Sequence, residues 1–219
     1  MDAIDALMTT RAMRRFTHAP VTDDEVLTCL RAAQQAPSGG NVQPWQYLVV
    51  TDPHVRANIG AIYRRSFDRY EKSLEGTVPR FRTPADEESW KRTRDASRYL
   101  ADHLGEAPVM VAFLLAVIPW SPADEQGALD IGPLYASVYP AVQNFMVAAR
   151  ALGIGTALTT VIRVEHDEAR ASLGVTDAWE IAALVPMGRP AGRFGVARRK
   201  PVEAVTSWDR FGERRGKST

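Results

Sequence analysis

The stretch that decides the fold is APSGGNVQPW, residues 36–45. Its two prolines and two glycines end any helix and favour a rigid loop. Ser38, Asn41 and Gln43 give this loop short polar side chains that have no local partner. Trp45 then opens an apolar run, residues 46–50, which predicts a buried strand. A polar loop between a helix and a strand is a favourable place to bind a polar ligand.

A cluster of arginines lies upstream of this loop. Arg11, Arg14 and Arg15 follow a first predicted helix, residues 2–9. Guanidinium forks suit phosphate and carbonyl oxygens. Between the cluster and the loop, Thr22 or Asp23 is expected to cap a second helix that runs to about residue 36.

This order of motifs resembles the FMN-dependent nitroreductase family. The resemblance continues in four further motifs: AVQN at 141–144, LGIGT at 152–156, PMGRP at 186–190 and RRKP at 198–201. It covers almost the whole chain, and residues 60–105 are the divergent part. It implies an α+β fold in which helices wrap a mixed, mainly antiparallel sheet. The chain would be a single domain, residues 1–219, that forms a homodimer.

The resemblance also implies a cofactor site for FMN, with NADH or NADPH as reductant. Arg11 and Arg199 would bind the phosphate, and Arg14 would approach the N1/C2=O side of the flavin ring. Ser38 and Asn41 would come from the partner subunit. The full set of implied cofactor contacts is Arg11, Ala12, Met13, Arg14, Pro37, Ser38, Asn41, Thr159, Thr160, Val161 and Arg199, and Gly40 and Gln43 would contact substrate.

The chain departs from the family at the start of the arginine cluster. Many members have two basic residues and a serine where this chain has Thr10, Arg11 and Ala12. One phosphate or ribityl contact is therefore weaker, and Arg15 or Lys200 is expected to compensate. A relative that breaks down FMN to make the lower ligand of cobalamin has an aspartate at the position of Ala12, which disfavours that activity here.

The implied reaction is the reduction of a small acceptor, such as a nitroaromatic or a quinone, by NAD(P)H in a ping-pong mechanism. A flavin-dependent dehydrogenase, a reductive dehalogenase and a non-catalytic flavin-binding protein are the alternatives. Iodotyrosine deiodinases share the APSG and RKP motifs, but residues 63–72 lack the spacing of their substrate-gripping side chains. A Rossmann turn at residues 153–155 is disfavoured because a helix precedes it and a third glycine is missing. No catalytic residue is indicated.

The remaining pattern predicts alternating helices and strands. A helix begins at Pro53, and residues 61–104 form two amphipathic helices joined near 76–79, either a solvated surface excursion or a lid over a pocket. The other predicted elements are a central strand at 108–117, a polar loop at 121–130, a helix at 140–152 that is fully buried in one domain or across a subunit interface, a strand at 156–161, a helix at 165–173 and a strand at 181–187. The apolar tail with Trp208 and Phe211 is expected to pack on a second subunit.

Composition excludes several classes of protein. The net charge of +1 gives no overall attraction to nucleic acid or acidic membranes. The four histidines lie far apart, so no metal site is expected. A single cysteine, Cys29, excludes an internal disulfide and fits a reducing, cytoplasmic compartment. The N-terminus does not resemble a secretory signal, and the sequence has no apolar run of the roughly 18 residues that a membrane span needs.

Overall fold

The computed structural model describes residues 1–77, 79–118, 122–125, 127–128 and 132–215. The α-helices are α1 (Ala3–Thr9), α2 (Asp23–Ala33), α3 (Pro53–Ser73), α4 (Pro84–His103), α5 (Tyr135–Ala151) and α6 (His166–Ser172). The strands are β1 (Trp45–Val50), β2 (Val109–Ala116), β3 (Ala123–Asp124), β4 (Gly127–Ala128), β5 (Gly155–Thr156) and β6 (Trp179–Gly188).

The main sheet has the order β1-β2-β6-β5, and its neighbouring strands are antiparallel. A parallel bridge between Ala12 and Thr156 adds one more segment at the β5 edge and makes the sheet mixed. The predicted α+β fold, with a mainly antiparallel sheet wrapped by helices, is thereby confirmed.

Strand β2 pairs with β1 on one side and with β6 on the other, and both of its faces are covered. Val111 and Phe113 belong to a core that includes α2 and α5, whereas Met110 and Ala112 belong to a second core with α3 and α4. An apolar run without alternation is the expected pattern for a strand buried on both faces. The predicted central strand at 108–117 is confirmed.

The helix starts follow from local capping. The Thr22 side chain accepts from the Glu25 backbone N–H, and the Glu25 carboxylate accepts from the Thr22 backbone N–H, which is a complete capping box. The Asp52 side chain caps α3 by accepting from the His54 and Val55 backbone N–H groups, with Pro53 in the first turn of the helix. Helix α2 ends at Ala33 rather than near residue 36, because the chain turns at Gln34 before the proline-containing loop.

Two sequence predictions about the second half of the chain are wrong in detail. The helix predicted at 140–152 begins at Tyr135 and holds Pro140 in its interior. Gln143 and Tyr139 on this helix are exposed in the single chain, so its burial across a subunit interface stays a prediction. A proline costs an interior helix one hydrogen bond, which the buried apolar face of α5 offsets here. The strand predicted at 156–161 is regular only at β5, because the chain then leaves the ladder and enters a 3-10 turn, Val161–Glu165.

The polar loop predicted at 121–130 contains the short hairpin formed by β3 and β4, and residues 121, 126 and 129–130 lie outside the described ranges. The segment 61–104 contains the predicted pair of helices, the second part of α3 and α4, and residues 74–77 and 79–83 lie between them. These helices are not a wholly solvated excursion, because Ile59, Ile62, Phe67 and Leu100 are buried in the second core. In the described ranges, no helix is long and apolar enough to cross a membrane.

Candidate functional site

The arginine cluster is attached to the edge of the sheet by backbone hydrogen bonds. The Met13 N–H donates to the Thr156 carbonyl at 2.8 Å, and the Ala191 N–H donates to the Arg15 carbonyl at 3.0 Å. Side chains alternate along such an extended segment, and the buried Met13 is followed by Arg14. The sequence after α1 is therefore fixed in position although it is not a regular strand.

The segment after β5 is fixed in the same manner. The Thr159 N–H donates to the Leu184 carbonyl, and the Leu184 N–H donates to the Thr159 carbonyl, both at 2.9 Å. The Thr159 side chain shares a hydrogen bond of 2.9 Å with the Tyr63 hydroxyl, and its Oγ1 accepts from the Val161 N–H at 3.3 Å. Together, residues 11–15 and 155–161 form what we call the sheet-edge wall.

A cavity of about 860 Å³ separates the sheet-edge wall from the helices. Its opposite side, which we call the helix wall, consists of α3, α4 and residues 74–77 and 79–83 between them. The sheet-edge wall contributes Arg14, Leu158, Thr159, Thr160 and Val161 to the lining, and the helix wall contributes residues that include Tyr63, Phe67, Tyr70, Glu71, Trp90 and Arg94. The structure thus brings together four of the predicted cofactor contacts, Arg14 and Thr159, Thr160 and Val161.

Arg14 is a partly buried cation that has no counter-ion in the described part of the chain. Its guanidinium has no hydrogen bond or ion pair to the described part of the chain. Burial lowers the pKa of Arg14, the nearby Tyr63 raises it in part, and Arg11 lowers it further. A desolvated cation is costly unless an electron-rich group meets it. The carbonyl and nitrogen edge of a flavin ring is such a group, so the cavity fits FMN at this point.

The loop that contains Pro37 and Ser38 is not part of either wall of the cavity in the single chain. The Gly39 N–H donates to Ser137 Oγ on α5 at 3.3 Å, and the Gln43 N–H donates to Ser38 Oγ at 3.0 Å. Asn41 and Gln43 adopt positive φ angles of 55° and 50°, a conformation that this short polar loop stabilises. No residue of 37–43 is among the described residues that line the cavity. Their contact with the cofactor of a second subunit, like the substrate contacts of Gly40 and Gln43, stays a prediction.

The tail places Arg199 away from this cavity in the single chain. Its guanidinium is exposed and donates to the Arg198 carbonyl at 3.2 Å, while Arg198 pairs with Asp86 of α4 at 2.9 Å. Arg15 stacks on the Tyr99 ring of α4, with 3.5 Å between the guanidinium carbon and the ring centroid. The expected contacts with a phosphate or ribityl chain therefore stay predictions for five residues, Arg11, Ala12, Met13, Arg199 and Lys200.

The aromatic residues of the helix wall are evident in the sequence, but the sequence pattern assigns none of them to the site. Trp90 and Arg94 lie one turn apart on α4, with the Arg94 guanidinium 4.9 Å from the Trp90 ring centroid. Tyr63 and Tyr70 lie two turns apart on α3, a spacing that places both on one face. This helical spacing of side chains could have indicated the site, but the same spacing is typical of a helix face that is buried in a core. In the described ranges, no group of three or more His, Cys, Asp or Glu side chains is suited to hold a metal ion.

The chain belongs to the nitroreductase family, whose model matches residues 7–189. Members of this superfamily are FMN-dependent oxidoreductases with the mixed α+β fold described above.

Among its relatives is a 5,6-dimethylbenzimidazole synthase from Rhodospirillum rubrum, 29% identical over 93% of this chain and 93% of that protein. A BluB-like flavoprotein from Clostridium difficile 630 is 20% identical, with a TM-score of 0.71 over 96% of this chain and 100% of that one. The FMN- and NADPH-dependent nitroreductase NfnB, from "sphigopyxis sp. strain HMH", is 22% identical, with a TM-score of 0.70 over the same shares of both chains. The two structural likenesses concern the fold.

Proposed function

We propose that this protein is a homodimeric, cytoplasmic FMN-dependent oxidoreductase. It uses NADH or NADPH to reduce a small acceptor, such as a nitroaromatic or a quinone, in a ping-pong mechanism. The observation that supports this most directly is the cavity itself, because one wall presents Arg14 and the segment 159–161, and the other wall is aromatic. When bound, FMN would supply the hydride chemistry, and the protein would supply position and electrostatics.

The sheet-edge wall is suited to hold the flavin. Arg14 would meet the electron-rich edge of the ring, and Thr159, Thr160 and Val161 would run along it. Arg11, with the backbone at Ala12 and Met13, would face the ribityl phosphate, and Arg199 would join it there. Residues Pro37, Ser38 and Asn41 would reach the cofactor of a second subunit.

The helix wall is suited to hold the acceptor. Phe67, Tyr70 and Trp90 give it flat apolar surfaces, which favour a planar aromatic molecule stacked against the flavin. Arg94 and Glu71 provide charged groups at the same wall and form an ion pair of 3.1 Å. Gly40 and Gln43 of a second subunit would close the acceptor site.

The first test is the absorbance spectrum of the purified protein. We expect a yellow protein that releases one FMN per chain on denaturation, is reduced by NADH or NADPH, and sediments with the mass of two chains. A colourless protein that takes up no FMN on titration would refute the proposal. Bound FMN that NAD(P)H does not reduce would favour a flavin-dependent dehydrogenase or a reductive dehalogenase. Bound FMN that no reductant or acceptor turns over would favour a flavin-binding protein.

The phosphate assignment has its own test. Arg11→Ala and Arg199→Ala should each weaken FMN binding about ten- to a hundredfold, because a hydrogen bond to a charged group contributes roughly 1.5–3 kcal/mol. Arg92→Ala is the matched control, because Arg92 is an exposed arginine that pairs with Glu88 on α4. If both test variants bind FMN as tightly as the control, Arg11 and Arg199 are not phosphate ligands.

A further inference from the structure

A buried hydrogen bond connects the two walls of the cavity. The Tyr63 hydroxyl on α3 and the Thr159 hydroxyl on the sheet-edge wall are 2.9 Å apart, although the residues are 96 positions apart in sequence. Both side chains are almost fully buried, with 2% of Tyr63 and 8% of Thr159 exposed. Both also line the cavity, so this bond lies at the surface that a ligand would contact.

The separation of 2.9 Å fits either hydroxyl as the donor, and the surroundings favour Tyr63. Arg14 interacts electrostatically with Tyr63. A cation attracts the phenol oxygen and repels its proton, so the Tyr63 proton is expected to point away from Arg14 and toward Thr159. Burial raises the pKa of Tyr63, so the phenol keeps this proton at neutral pH.

With Tyr63 as donor, the Thr159 hydroxyl has a defined orientation. Its oxygen accepts from both the Tyr63 O–H and the Val161 N–H. A hydroxyl group has two acceptor lone pairs and one proton, so both lone pairs are then occupied and the proton remains for a further acceptor. The backbone N–H and C=O of Thr159 are both hydrogen-bonded to the backbone of Leu184. These two bonds fix the backbone from which the hydroxyl group projects.

We propose that Tyr63 is a positioning residue that orients the Thr159 hydroxyl so that its proton is directed into the cavity, toward an acceptor atom of bound FMN. This inference rests on the function proposed above. It gives α3 a part in cofactor binding through Thr159, in addition to its place at the acceptor side. The electronic state of the flavin then depends on a residue that sequence reasoning placed in the divergent segment.

The experiment compares two tyrosines, one at the cavity and one away from it. Tyr63→Phe removes the hydroxyl and keeps the ring, and Tyr47→Phe is the matched control, because Tyr47 lies on β1 and is not among the described residues that line the cavity. In FMN titrations of the flavin-stripped full chain, we expect Tyr63→Phe to bind FMN about three- to tenfold more weakly than the wild type. Its bound flavin should have a shifted visible absorption band. Tyr47→Phe should match the wild type in both measurements.

Variants of Thr159 test whether Tyr63 acts through it. Thr159→Val should weaken FMN binding at least as much as Tyr63→Phe, and Thr159→Ser should retain most of the affinity. In the Thr159→Val background, Tyr63→Phe should cause no further loss of affinity, since the group that it orients is gone. Should Tyr63→Phe fail to fold, the valine and serine variants decide, and equal FMN affinities in those two overturn the proposal.

Two further outcomes separate this inference from the function on which it rests. If the wild type binds FMN and Tyr63→Phe lowers only the melting temperature of the flavin-free protein, with affinity and spectrum unchanged, Tyr63 is merely structural and this inference is wrong. If the wild type binds no FMN, both this inference and the proposed function fail.

Discussion

The two walls of the cavity are held in place by different kinds of interaction. Backbone hydrogen bonds fix the sheet-edge wall, at Met13 and Thr159 for example. The helix wall is anchored to the second core, but α3 and α4 face each other across ion pairs between partly exposed side chains, such as Arg98–Asp68 at 2.8 Å. Such pairs contribute little and are screened by salt. A wall of fixed geometry suits one constant cofactor, and a more adjustable wall suits acceptors of differing shape.

The largest expected effect is on the free energy of unfolding. It comes from alanine substitutions at two glycines, one on each wall, where the backbone packs closely against another segment. A Cβ at Gly60 on the helix wall would lie 2.7 Å from the Gly105 backbone nitrogen, and a Cβ at Gly155 on the sheet-edge wall would lie 2.9 Å from Met13 Cβ. Gly60→Ala and Gly155→Ala should each lower the free energy of unfolding by about 1–3 kcal/mol. Gly60→Ala should cost more, because its new Cβ would lie within 3.0 Å of two backbone atoms of Gly105, at 2.7 and 2.9 Å, whereas a Cβ at Gly155 would meet one atom so closely.

Urea unfolding measures these losses, and Gly195→Ala is the control because a Cβ there meets nothing within 4 Å. The comparison of walls adds a second expectation. Gly155→Ala should also weaken FMN binding, whereas folded Gly60→Ala should retain it. Equal losses of FMN affinity in the two variants would contradict the proposal that the sheet-edge wall binds the cofactor and the helix wall binds the acceptor.

The next effect concerns two arginines that line the cavity from opposite walls. Arg14 has no counter-ion in the described part of the chain, whereas Arg94 pairs with Glu71. Reduced flavin carries more negative charge than oxidised flavin, so loss of a nearby cation should lower its two-electron potential. Arg14→Met should lower this potential by tens of millivolts, since ~30 mV corresponds to about 1.4 kcal/mol. FMN affinity should fall less than in Arg199→Ala.

Redox titration of both variants checks this difference. Arg94→Met should leave the potential nearly unchanged and should instead alter the KM for the acceptor. An unchanged potential in Arg14→Met with intact FMN binding would remove Arg14 from the flavin edge. A larger shift in Arg94→Met than in Arg14→Met would reverse the assignment of the two walls.

The sequence indicated residues of the sheet-edge wall, whereas it assigned no residue of the helix wall to the site. Arg14 and residues 159–161 were implied as cofactor contacts by the resemblance to the nitroreductase family, and all four line the cavity. Helix α3 was predicted from its periodicity, but periodicity does not distinguish Tyr63, which contacts Thr159, from a plain core residue. Contacts between residues so distant in sequence arise from tertiary packing. The irregular path after Thr156 was missed for the same reason, because residues 157–159 have strand-like composition and pair only partly with β6.

The smallest expected effect concerns the ion pairs of the helix wall. Glu71 pairs with Arg94 at 3.1 Å and with Arg98 at 3.4 Å, and all three side chains are partly exposed. Glu71→Gln should therefore cost less than about 1 kcal/mol of stability at low salt, and the cost should shrink further in 1 M salt, where the screening length is about 3 Å.

Glu88→Gln is the matched control, because Glu88 pairs with Arg92 within α4 and is not among the described residues that line the cavity. Both variants should bind FMN like the wild type, but only Glu71→Gln should change the KM for the acceptor. A stability loss well above 1 kcal/mol that persists in high salt would mean that these ion pairs hold the helix wall as firmly as backbone hydrogen bonds hold the sheet-edge wall. The contrast between a fixed cofactor wall and an adjustable acceptor wall would then be wrong.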